Sequence, residues 1–177
     1  MIPDLFGARL RLRAAAEADV DDVHLLLIDP AVRRYLCDGE VFSREQVGVL
    51  YESATAHAAR GLGWWIVERA DEMVGMVALL PVSEAVVAHA PDLAGEVEPT
   101  VALWPQHWGQ GFAAEALAAL HAYAFDTLDL PRLAAMTDEP NADSQAMLAA
   151  AGYVKTGESP GPAWTQLIYR LERPTGA

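Results

Sequence analysis

Cysteine is nearly absent, with Cys37 the only one in 177 residues. One thiol excludes an intrachain disulfide framework and a multi-cysteine zinc site, and it fits a cytoplasmic setting. Its place near an expected helix end reads as packing by a small side chain rather than as a nucleophile. Long apolar runs are missing too, so no segment of the sequence is expected to span a bilayer. The start, Met1-Ile2-Pro3-Asp4-Leu5-Phe6, has an acid where a secretory signal needs basic and then apolar residues. Basic residues are scarce, 12 Lys and Arg against 25 Asp and Glu, for a formal net charge of −13. That sign repels nucleic-acid phosphates and anionic membranes and favours a cationic partner such as an amine, although acidity also serves solubility. The histidines, His24, His57, His89, His107 and His121, show no ligand spacing, so no metal is expected.

What is present is ordinary globular composition, 53% apolar and 21% charged. The length suits one packed core, expected over residues 1–172 with a short flexible tail at 173–177. Leu10-Arg11-Leu12-Arg13 alternates like a half-buried strand, and a helix with Val20, Val23, Leu26 and Leu27 on one side follows. Ser43 with Gln46 three residues on forms a capping box for a helix reaching about Arg60. Trp64–Glu68 and Met73–Leu80 flank Asp71-Glu72 as a hairpin. Residues 81–95 read as a loop, and Glu96–Leu103 as a strand in which Pro99 calls for a bulge. From Gly111 to about Leu128, Phe112, Ala116, Leu120, Ala124 and Leu128 recur every fourth residue, a helix with one core-facing stripe. Arg132–Thr137 is a short strand, Asn141 caps a helix ending at Gly152, and the last strands begin at Tyr153.

The chemistry concentrates in Trp104-Pro105-Gln106-His107-Trp108-Gly109-Gln110-Gly111-Phe112-Ala113. A strand running into a glycine-rich turn and then a long helix presents backbone N–H groups and the positive end of the helix dipole to an anion. Gly109 and Gly111 let the backbone approach a pyrophosphate, and Gln106 adds a neutral donor. No lysine or arginine lies between Trp104 and Pro131, so a phosphate here would rest mainly on backbone amides. Gly109-Gln110-Gly111-Phe112-Ala113-Ala114 also matches the Gly-x-Gly-x-x-Ala dinucleotide fingerprint, with Asp129 at the expected spacing. A nicotinamide dinucleotide site needs further parallel strand–helix units, however, and only 66 residues follow Gly111.

The same segment resembles the coenzyme A loop of the GNAT N-acetyltransferase superfamily, whose pattern Gln/Arg-x-x-Gly-x-Gly/Ala is filled by Gln106, Gly109 and Gly111. Trp108-Gly109 and the Ala-x-Glu-Ala continuation are most similar to the RimJ/RimL-type branch. Three further blocks agree: Leu10–Arg13 with Glu17-Ala18-Asp19, Asp29-Pro30, and Asn141-x-x-Ser144 before Gly152-Tyr153. The resemblance implies an α+β fold, a mixed and mostly antiparallel sheet of about seven strands flanked by helices. It implies acetyl-CoA as cosubstrate and a primary amine as acceptor, either a protein N-terminus or a small molecule.

Direct attack on the thioester then needs three groups. Glu98 stands at the family's position for the base, and Glu96, two residues earlier, is expected on the same face. A backbone N–H near Leu103 would meet the oxyanion, and that strand would pair with the pantetheine arm. Ser144 is the candidate donor to the departing thiolate, because Leu148 stands where many members carry a tyrosine; Asn141 would bond the pantetheine. His107 is read as packing, and Tyr153 as core. Leu148 and Pro99 also motivate a second class, a coenzyme A-binding module without catalysis, and a homodimer is a further expectation.

Overall fold

Alternation of side chains in the middle of the chain builds the centre of the fold, in a computed structural model describing residues 2–36 and 40–174. Cys37 and most of the expected tail lie outside the described residues. Strands β1 (Leu5–Phe6), β2 (Arg11–Ala14), β3 (Gly63–Arg69), β4 (Glu72–Pro81) and β5 (Val97–Leu103) form one sheet in that order, every pairing antiparallel. Ala70 and Asp71 turn the β3–β4 hairpin with φ of 49° and 64°, the left-handed geometry whose twist suits a two-residue turn. Along β3, Trp65 and Val67 enter one core while Trp64 and Ile66 enter the other; in β4, Val77 and Leu79 divide from Met76 and Ala78 in the same way. These strands are buried on both faces and therefore carry near-continuous apolar runs.

Helices cover both sides. Val20, Val23 and Leu26 of α1 (Val20–Ile28) and Val47 of α2 (Arg44–Thr55) pack on one face of the sheet. The expected capping box opens α2, with the Gln46 N–H donating to Ser43 Oγ at 3.2 Å and the Ser43 N–H to Gln46 Oε1 at 2.7 Å. A one-turn helix, α3 (Glu84–Val87), capped by Ser83, sits in the segment expected as loop. On the opposite face lies α4 (Phe112–Ala122), continued by a π-helical turn over Tyr123–Thr127. Its stripe of Phe112, Ala116 and Leu120 is fully buried, each larger apolar side chain contributing about 1.5–3 kcal/mol.

A second sheet, in the order β6 (Arg132–Asp138), β8 (Thr165–Glu172), β7 (Val154–Pro160), is also antiparallel, and α5 (Ala142–Ala150) joins β6 to β7. The α+β reading therefore holds, with eight strands divided five and three among the described residues. Two expectations change. Pro99 makes no bulge: β5 keeps an unbroken register with β4, placing Pro99 opposite Leu79. As an edge strand, β5 can turn the missing N–H away from the ladder. The nicotinamide dinucleotide alternative falls as well, because it requires a parallel sheet and each strand pairing here is antiparallel.

Candidate active site

The register of β5 decides where its backbone points. The Trp104 N–H donates to Val74 O at 3.0 Å and the Val82 N–H to Glu96 O at 2.9 Å. With Leu103 opposite Gly75 and Glu98 opposite Leu80, alternate residues of an antiparallel ladder take the bonds. Glu98, Thr100 and Ala102 thus bond toward β4, while the backbone groups of Pro99, Val101 and Leu103 face away from it. No ladder joins β5 to β6, so those groups face the gap between the two sheets. The Leu103 carbonyl is taken by the Trp108 indole N–H at 2.8 Å, which leaves the Leu103 N–H as the donor at the mouth of the gap.

Side chains of β5 alternate accordingly. Val97 and Leu103 pack toward α4, and Ala102 packs toward α1 and α2. Glu98, four residues before Ala102, shares that second face. It is half-buried, so solvent reaches it, yet desolvation by the surrounding protein pushes its pKa up to about 7. Among the described residues its carboxylate has no hydrogen bond and no ion pair.

Glu96 departs from the expectation that it would accompany Glu98. The strand begins only at Val97, and Glu96 is 8% exposed, held by Arg170 Nε at 3.0 and 3.2 Å and by Arg132 Nε at 3.2 Å. Arg170 also reaches Asp92 Oδ2 at 2.8 Å and the Thr156 hydroxyl at 2.9 Å. Glu96 therefore ties the start of β5 to β6 and β8. Its carboxylate is held by two guanidiniums, whereas that of Glu98, among the described residues, is held by none.

The glycine turn forms as the sequence implies. Pro105–His107 makes one 3-10 turn, and Gly109 and Gly111 adopt φ of 71° and 78°, a region that side chains with a Cβ rarely enter. Gly111 occupies the N-cap of α4 without a capping side chain. Gln110 Nε2 donates to Gln106 O at 2.9 Å, closing the turn. Gln106 and Trp108 are exposed, Trp104 and Ala113 half-buried, and Phe112 fully buried beneath the turn. His107 packs 6.2 Å from the Phe112 ring, and its buried Nε2 has no hydrogen bond, consistent with packing.

Across the gap, Asn141 Oδ1 accepts from the Ser144 N–H at 3.2 Å, so that side chain caps α5. Ser144 is half-buried in the first turn, and among the described residues its hydroxyl has no partner. Leu148, in the family's tyrosine position, is core. Tyr153 is buried and bonded to His121 Nε2 at 3.0 Å; burial pushes the phenol pKa up and the imidazole down to about 4. That pair is a structural contact. Near the end of β6 the Thr137 hydroxyl is buried and, among the described residues, has no hydrogen-bond partner, a cost of about 1–3 kcal/mol. Among the described residues no three potential metal ligands cluster, and no helix is long and apolar enough to cross a membrane.

Sequence order concealed two residues. Arg9, in the β1–β2 turn, donates through Nη1 to Gln110 O at 3.1 Å and through Nε to Glu115 Oε2 at 2.7 Å. Its guanidinium lies over the Phe112 ring at 4.6 Å, and that of Arg69, at the end of β3, lies over the same ring at 5.5 Å. The glycine turn is accordingly not free of basic neighbours, although none is near it in the chain.

Residues 9–154 match the family described as the acetyltransferase (GNAT) domain. The chain belongs to the GNAT acetyltransferase family. It is an acyltransferase by that membership. An uncharacterized N-acetyltransferase, YoaA of Bacillus subtilis, is 28% identical over 161 residues, covering 89% of this chain and 86% of that protein. The FsC-acetyl coenzyme A-N(2)-transacetylase of Aspergillus fumigatus is 27% identical over 154 residues, 85% of this chain and 64% of its relative. The ribosomal L7/L12 alpha-N-protein acetyltransferase RimL, solved with coenzyme A, superposes with a TM-score of 0.74 at 21% identity, covering 93% and 94% of the two chains. That last likeness speaks to the GNAT fold.

Proposed function

We propose that this GNAT acyltransferase moves the acetyl group of acetyl-CoA to a primary amine by direct attack, with Glu98 as general base. The acceptor is the N-terminus of a protein or a small-molecule amine, as in the RimJ/RimL-type branch, and the reaction takes place in the cytoplasm. The observation that carries this reading is the unpartnered, half-buried Glu98, pushed up to about 7, on the strand that ends at the glycine turn. A carboxylate near that value is ionised often enough at neutral pH to take a proton and basic enough to hold it.

The pyrophosphate rests on the amides around Gly109 and Gly111, and the pantetheine arm enters the gap beside β5. Glu98 removes a proton from the bound ammonium. The amine lone pair then forms the C–N bond at the thioester carbon, and the carbonyl electrons move onto oxygen, where the Leu103 N–H meets the charge. Collapse restores the carbonyl and breaks the C–S bond. The second proton of the attacking nitrogen passes through the Ser144 hydroxyl to the departing thiolate, so the serine ends as it began, Glu98 returns its proton to solvent, and the neutral amide leaves. The formal charge of −13 raises the local concentration of a cationic acceptor.

Release of free thiol from acetyl-CoA with a panel of amines tests the reading. Turnover with at least one amine, lost in Glu98→Gln and lowered in Ser144→Ala, is the expected result. Coenzyme A binding without turnover on any amine would instead make the chain a binding module.

A further inference from the structure

Two guanidiniums gather over the first residue of α4, and only one is neutralised. Arg9 is ion-paired with Glu115 at 2.7 Å. Arg69 is exposed, rests over the Phe112 ring, and among the described residues has no carboxylate partner. In a chain with 25 acids and 12 bases, Arg69 is one of three guanidiniums, with Arg34 and Arg60, that have no acidic partner among the described residues. Arg11, Arg13, Arg44, Arg132, Lys155, Arg170 and Arg173 each have an acidic partner within 4.0 Å. Next to Arg69, between the β1–β2 turn and the β3–β4 turn, lies an open cleft of about 240 Å³ lined by Gly7, Arg9, Arg11, Glu68, Ala70 and Asp71, with Glu68 paired to Arg11 and Arg13.

We infer that Arg69, with Arg9 anchoring the turn beside it, forms a second phosphate subsite that takes the 3′-phosphate on the ribose of coenzyme A. The inference rests on the coenzyme A reading above and deepens it. Coenzyme A carries two separate phosphate groups. Backbone amides suit the bridging pyrophosphate, which is held in the turn. A terminal phosphate monoester is close to a dianion and gains most from a guanidinium able to present paired donors. Phe112 holds Arg69 from beneath by cation–π contact, so little side-chain freedom is lost when the anion arrives. Glu68 and Asp71 line the cleft next to Arg69, which keeps the patch from attracting anions in general; a group seated on the guanidinium itself gains. Arg9 supports the arrangement from the other turn, since its Nη1 holds the Gln110 carbonyl and its Nη2 lies beside Gly111.

The test compares coenzyme A with 3′-dephospho-coenzyme A by calorimetry on the full chain, in the wild type, Arg69→Gln and Arg69→Lys. The wild type is expected to prefer coenzyme A by about tenfold or more, and the preference to shrink with added salt. Arg69→Gln is expected to weaken coenzyme A to the level of the dephospho form while leaving the dephospho form's Kd in place. Arg69→Lys, which keeps the charge but not the fork, should retain part of the preference. Arg69 is exposed and makes no ion pair among the described residues, so these variants should fold, and thermal melting checks that they do. Equal affinity for both nucleotides in the wild type, or an Arg69→Gln protein that keeps the full preference, overturns the subsite and leaves the acetyltransferase reading in place. Failure of both nucleotides to bind the wild type overturns both.

Discussion

Replacing Glu98 by glutamine should make the protein more stable and nearly inactive, and both effects should depend on pH. Burial raises the carboxyl from 4.5 to about 7, which means that the folded chain disfavours the charged form. At about 1.4 kcal/mol per unit, and allowing for the solvent that reaches a half-buried group, ionising Glu98 costs the fold about 2–3 kcal/mol. The penalty is absent below the unfolded-state value near 4.5, grows as pH rises, and is complete above 7. Glutamine has nearly the same shape and carries no charge at any pH. Glu98→Gln should therefore melt with the wild type at pH 4.5 and above it at pH 8, by roughly 4–12 °C for a chain of this length. The wild-type kcat/KM should rise through pH 7 as the carboxylate forms, and Glu98→Gln should lose about 100-fold or more together with that inflection. Melting curves at several pH values with parallel rate profiles measure both. A difference in Tm that is the same at pH 4.5 and pH 8 would refute the desolvation argument. An unchanged rate would remove Glu98 from the chemistry.

Glu96→Ala should remove the carboxylate that joins Arg170 to Arg132 where two sheets meet, with Arg170 keeping Asp92, and cost about 1.5–3 kcal/mol in denaturant unfolding, with kcat per folded molecule retained, the reverse of the Glu98 result. Asn141→Ala should remove the α5 cap and cost about 1 kcal/mol, whereas Ser144→Ala, whose hydroxyl caps nothing, should leave Tm in place and lower kcat about tenfold or more in a rapid-mixing assay of thiol release. Gly111→Ala imposes a φ of 78° on a residue with a Cβ, about 1–2 kcal/mol of strain, and should weaken coenzyme A in a calorimetric titration.

The sequence by itself determined what depends on near neighbours in the chain. The Ser43–Gln46 capping box, the β3–β4 turn, the fourfold stripe of α4 and the left-handed glycines at 109 and 111 are set by side chains a few residues apart, so periodicity and turn chemistry reveal them. Glu98 entered as a candidate through the family resemblance, which implies a base on the strand before the glycine turn. Only the tertiary structure decided what depends on meetings across the chain. A single residue separates Glu96 from Glu98, yet the partners that distinguish them, Arg132 and Arg170, lie dozens of residues away, and no local pattern encodes that pairing. Pro99 argued for a bulge until its strand proved to be a sheet edge facing a gap. The glycine turn, which has no basic residue near it in sequence, acquires Arg9 and Arg69 because two distant turns fold against Phe112. Backbone geometry is a short-range property and is written locally; charge and desolvation are set by whatever the fold brings alongside.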